Sequence, residues 1–208
     1  MEQRVALAPT LTILCSISLL CLAAVRPSNA STFRPAPTRA RPTDFIRASC
    51  TATRYPALCV QSLSVYASNI RTSKKQLAET ALSVSLARAR SAAAFVSKLS
   101  ASKGMPARDR AASKDCVENM GDSVDRLARS VREIGSMGRA GSAGFQWHAS
   151  NVQTWVSAAL TDESTCMDGF ADSGTSRSLQ AAVRGRIVNV AQVTSNALAL
   201  VNRYCQKP

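Results

Sequence analysis

The sequence predicts an all-α protein: an antiparallel up-down four-helix bundle preceded by a short helical hairpin and stapled by disulfides. Three observations carry that expectation. Apolar residues recur at three-and-four spacing over four separate stretches of about 20 to 30 residues, the repeat of one helix face. Glycine and proline clusters separate the stretches and leave only short connections, which make successive helices antiparallel neighbours. No stretch alternates with the period of two that marks a strand. At 46% hydrophobic residues, the 208-residue chain can fill such a core as one domain.

Residues 1–30 read as a secretory signal peptide, with Arg4 near the start, an apolar run Leu11–Val25 and small residues around Ala30. The apolar run is too short for a membrane span, and nothing later approaches the roughly 20 apolar residues a span needs. An exported chain with no membrane association after cleavage is expected. Residues 31–42 carry three prolines with Arg34, Arg39 and Arg41, and read as an extended linker. The folded region is expected over 43–204, with 205–208 as a tail.

Thr43-Asp44-Phe45-Ile46 looks like a capped helix start, the helix ending near Cys50. Pro56 suits the first turn of a second helix through Leu58, Cys59 and Leu63. Two pieces this short cannot hold together by core alone, and a Cys50–Cys59 bridge would close them. Ser73 with Gln76 forms a capping-box pattern, each side chain satisfying an amide at the start of the first long helix. Its stripe is Leu82, Leu86, Ala89, Ala93 and Val96, and Gly104 and Pro106 stop it. The second stripe is Val117, Met120, Val124, Leu127, Val131 and Ile134, before the glycine-rich turn Gly135–Gly144. The third is Val152, Val156, Ala159 and Leu160, followed by Cys166 and Asp168. After Ser173-Gly174-Thr175 the fourth runs through Leu179, Val183, Ile187, Val190, Ala197 and Val201 to about Tyr204.

Without Arg4, Arg26 and Glu2, which fall in the leader, the 26 basic and 13 acidic residues become 24 and 12, a net charge of +12. Such a chain is attracted to polyanions, whether acidic polysaccharide, anionic membrane surface or nucleic acid; charge alone does not choose among them, and a solvated arginine-rich surface is the commoner explanation. Nucleic acid is disfavoured by the export signal and by the lack of any recognition motif. Outside the leader five cysteines remain: Cys50, Cys59, Cys116, Cys166 and Cys205. In an oxidising compartment they suggest two bridges and one odd thiol, and the first four allow three pairings. No pair has the short spacing of a zinc site, and the only histidine is His148, so no metal is expected. No nucleophile elbow or phosphate loop is present, so neither an enzyme nor a cofactor is expected.

Several segments, in order, resemble the plant invertase and pectin methylesterase inhibitor family. They are Cys50-x8-Cys59 enclosing Thr53–Leu58, Lys114-Asp115-Cys116, Asp122, Asp125-Arg126-Leu127, Trp155–Leu160, Thr165–Phe170 and Ser195–Asn202. The resemblance spans Thr43 to Tyr204. It implies a helical hairpin followed by a four-helix bundle, with pairings Cys50–Cys59 and Cys116–Cys166; Cys205 falls outside the pattern. It implies an inhibitor of pectin methylesterase, the branch these blocks look more like, or alternatively of acid invertase, in the cell wall or apoplast; a basic cell-wall protein that binds pectate or another acidic polysaccharide is the further alternative. The chain ends at Pro208, so a free-standing inhibitor is implied and not a pro-region.

Six carboxylates lie on the second long helix: Asp109, Asp115, Glu118, Asp122, Asp125 and Glu133. Glu118, Asp122 and Asp125 stand at i, i+4 and i+7, on one face. With Thr165 and Asp168 they form the candidate surface for the target enzyme, as the resemblance implies for matching positions in these two helices. Steric occlusion of the cleft with carboxylates at its mouth is the implied mechanism. The plainer alternative is a solvated face, with Asp122–Arg126 and Asp125–Arg129 each adding about 0.2–0.5 kcal/mol of helix support. Asp168 could equally satisfy a helix end. Trp155 is expected in the core, His148 on the surface, and Trp147 is left open.

Overall fold

A computed structural model describes residues 41–172 and 174–206. The leader at 1–30 and the linker up to Ala40 lie outside the described residues. Among the described residues, helix is the only regular structure. The hairpin consists of α1 (Pro42–Cys50) and α2 (Pro56–Leu63), each with proline in its first turn. A 3₁₀ turn (Ser64–Tyr66) and α3 (Ala67–Ile70) extend it beyond the expectation. Pro42, placed in the linker above, is the first residue of α1. The preset φ of proline opens the helix, and no side-chain cap forms there.

Four long helices follow: α4 (Lys74–Ser100), α5 (Ala107–Ser136), α6 (Phe145–Asp172) and α7 (Arg177–Cys205). Ser73 caps α4, its Oγ accepting the Gln76 N–H at 3.2 Å. The return half of the expected capping box is missing. The Ser73 N–H already donates to the Ile70 carbonyl, so Gln76 turns outward to Glu79. Between α4 and α5, Gly104 adopts a φ of 74°, the left-handed region a side chain disfavours.

The long helices close into a ring in which α5 touches α4 and α6, and α7 touches α4 and α6. Cross-helix bonds show neighbours running antiparallel: Lys75 Nζ donates to the Met137 carbonyl, and Gln153 to Asn202. The hairpin seats against α7 and α4. Its anchor is Asn196, whose Oδ1 accepts the Tyr55 N–H while its Nδ2 donates to the Tyr55 carbonyl, both at 2.9 Å.

The expected stripes form the core with local rotations. On α5, Met120, Leu127 and Ile134 are buried, but Val117, Val124 and Val131 are only half-buried. Ser113, Ser123 and Ser130 are buried in their stead. The helix has rolled toward α6, where small side chains permit close approach. Each serine hydroxyl has an acceptor, two of them carbonyls four residues back. Ala93 and Leu160 are half-buried, and Trp155 lies at the boundary, not in the core. Gly135 stays helical, and buried Met137 and Phe145 bracket the α5–α6 loop. Cys205, assigned to a tail above, closes α7 half-buried against the core and is unpaired among the described residues.

Candidate functional site on the outer face of helices α5 and α6

The structure joins Cys116 to Cys166 across α5 and α6 with Cα atoms 4.4 Å apart, and Cys50 to Cys59 across α1 and α2 at 5.6 Å. Both sulfurs of the first bridge are buried. That link fixes one level of α5 against one level of α6. Asp115 and Glu118 on one helix, and Thr165 and Asp168 on the other, flank it and are exposed.

Glu118, Asp122 and Asp125 are also exposed. They border a shallow groove between α4 and α5, with Arg90 and Ala93 on its other side. Neither i, i+4 ion pair considered above forms among the described residues. Arg126 Nε instead donates across to Asp162 Oδ2 on α6 at 2.7 Å. Asp162 is the more covered carboxylate, and attraction strengthens as water is excluded. Burial raises the Asp162 pKa from its ordinary value; Arg126 opposes that shift and Asp122 adds to it. None of the three ridge carboxylates is in an ion pair among the described residues, and Arg90 is the basic residue facing them across the groove. Thr165 spends its hydroxyl proton on the Thr161 carbonyl, so it offers a partner only lone pairs.

Two carboxylates of α5 leave the ridge. Asp109 is buried and accepts the Ser176 N–H and hydroxyl, tying α5 to the start of α7. Glu133 accepts from Asn151 at 2.8 Å and lies 2.9 Å from His148 Nδ1. Those two bonds, Asn151 foremost, hold the Glu133 pKa below its usual range. His148 therefore has an acid partner, fifteen residues back in sequence and one helix away. Trp147 beside it is 69% exposed.

The sequence reading missed Glu163. Its side chain is fully buried, and its Oε1 accepts from Ser123 on α5 at 2.8 Å and Thr194 on α7 at 3.1 Å. Oε2 has no partner. Burial pushes its pKa up to about 7, and the two hydroxyls only partly offset this. The sequence did hold a signal. Val152, Val156, Ala159, Glu163, Cys166 and Phe170 keep four-three spacing without a break.

With the geometry in view, comparison with known proteins supplies the context. The family model described as "Plant invertase/pectin methylesterase inhibitor" matches residues 44–200. The chain belongs to that family. It is 52% identical over 176 residues to "Pectinesterase inhibitor 9" of Arabidopsis thaliana, covering 82% of this chain and 85% of that one. It is also 52% identical over 163 residues to the "21 kDa protein" of Daucus carota, covering 78% and 84% respectively. The crystal structure of mutant form A of a pectin methylesterase inhibitor from Arabidopsis superposes with a TM-score of 0.59 at 21% identity. It covers 76% of this chain and 95% of that one, and supports the fold.

Proposed function

We propose that the protein inhibits a pectin methylesterase, setting the outer faces of α5 and α6 over the enzyme's substrate cleft. Glu118, Asp122, Asp125, Thr165 and Asp168 would make the contacts. The observation that carries this reading is the 52% identity to a protein named as a pectinesterase inhibitor, over most of both chains. The exposed ridge of carboxylates outside any ion pair, beside a disulfide, supports the choice of face, because a prefixed surface loses little freedom on docking. Inhibition here is occlusion, and the inhibitor performs no bond chemistry. Secretion into the cell wall goes with this role. Among the described residues no helix is long and apolar enough to cross a membrane.

Titration of the purified protein against a plant pectin methylesterase and an acid invertase, side by side, tests the target. Saturable inhibition of the first is expected; inhibition of the invertase alone would overturn the reading. The E118A/D122A/D125A variant tests the face. It should weaken inhibition at least about tenfold, or 1.4 kcal/mol, with helicity unchanged. Undiminished inhibition would move the interface elsewhere.

A further inference from the structure

Charge is divided between the two halves of the ring. Helices α5 and α6 carry ten acidic and six basic residues, whereas α4 and α7 carry one and nine. The one acid, Glu79, lies near the start of α4 and pairs there with Lys75. Residues 80–108 and 174–206 contain no carboxylate side chain. The groove between α4 and α7 therefore has guanidinium groups with no acid to neutralise them.

That groove, of about 270 Å³, is lined by Arg88, Ser91, Gly185, Arg186 and Asn189 among others. The two arginines are held in place. Arg88 donates to Asn189 Oδ1 from the opposite helix, and Arg186 lies over the Phe95 ring at 4.7 Å from its centre. A guanidinium held over a ring keeps its planar fork available for a carboxylate, with less freedom to lose on binding. The amide of Asn189 and the hydroxyl of Ser91 can pair with sugar hydroxyls. Gly185 adds no bulk, and a Cβ built there meets nothing within 4 Å.

We propose that the α4–α7 groove binds polygalacturonate, the de-esterified form of pectin, with none of its lining residues among the proposed enzyme contacts. Regularly spaced carboxylates meet fixed guanidinium forks, and alternating hydroxyls meet Ser91 and Asn189. The choice of a uronate chain over other polyanions rests on the proposed target, because hydrolysing a pectin methyl ester releases methanol and leaves a carboxylate. The inhibitor would thus be retained where its target has already acted.

The test is calorimetric titration of the full protein with a purified oligogalacturonate of defined length. Its fully methyl-esterified counterpart, phosphatidylserine vesicles and a single-stranded DNA oligomer serve as competing probes. Binding of the oligogalacturonate should weaken with salt and exceed that of every other probe. R88Q/R186Q should reduce affinity at least about tenfold. R129Q/R132Q, which removes the same charge from α5, should change it less than about threefold. Leucine at 185 keeps every charge and raises helix propensity, so G185L should block binding by bulk alone. The proposal is overturned if R129Q/R132Q loses as much as R88Q/R186Q, or if G185L binds like wild type. Equal binding of the ester or a tighter hold on vesicles or DNA would also overturn it, as would no binding at all. Esterase inhibition measured on the same samples separates the two readings. R88Q/R186Q should still inhibit, and a failure of all samples to inhibit would sink the proposed target while leaving the binding data to stand.

Discussion

At the scale of single residues, Glu163 sets an unusual dependence on pH. Its folded pKa of about 7 stands above the ordinary 4.5, so between those values the native state binds a proton that the unfolded chain has released. Stability from this group is complete below about pH 4.5 and is lost as pH rises through about 7, on the order of 3 kcal/mol in all. Urea unfolding at pH 5 and pH 8 should show this fall. E163Q, neutral at both values, should flatten it and leave the protein more stable than wild type at pH 8. An unchanged slope in E163Q would assign the effect to other groups. The position of Glu163 was legible, since it continues the α6 stripe. Its burial was not, because a carboxylate at a core position reads as the point where a stripe leaves the core. Only the donors Ser123 and Thr194, from two other helices, make burial tolerable.

At the scale of elements, the hairpin depends on a contact that no local pattern announces. Tyr55 and Asn196 are 141 residues apart, yet one side-chain amide satisfies both backbone groups of the bend between α1 and α2. N196A removes both bonds and leaves the part-buried Tyr55 N–H without a partner, while the carbonyl keeps the Cys59 N–H, at a cost of about 1–2 kcal/mol. Hydrogen exchange should show α1 and α2 losing protection while α5 and α6 keep theirs; uniform loss would argue that the hairpin is no separate unit. The local signals were readable, including Pro56 at the start of α2 and Ser73 at the cap of α4. The roll of α5 was not. Hydropathy favours Val117, Val124 and Val131 over Ser113, Ser123 and Ser130, and the preference reverses only when α6 needs a close neighbour.

At the scale of the whole molecule, the two bridges differ in what they constrain. Cys116–Cys166 closes a separation of 50 residues and Cys50–Cys59 only nine. In a chain-entropy account the longer loop gives the larger effect, so C116A/C166A should lower unfolding free energy by about 2–4 kcal/mol and by more than C50A/C59A. Equal losses in denaturant titrations would contradict that account. The bundle itself was legible from periodicity and short connections, since the ring order follows from chain order. The partition of charge was countable in the sequence, but it became a property of opposite faces only when the ring showed α4 and α7 as neighbours.

The small side chains between α5 and α6 set how this inhibitor can fail. Where Ser123, Ser130 and Ala159 are buried at close range, little bulk is left to carve away and no slack remains to absorb more. Swelling one of those sites by a few methylene groups would wedge the pair apart against its disulfide, and the outer surface would splay with it. Apart from the Ser123 hydroxyl that Glu163 requires, the seam is therefore fragile to enlargement and tolerant of trimming, the reverse of a core packed with leucine and phenylalanine.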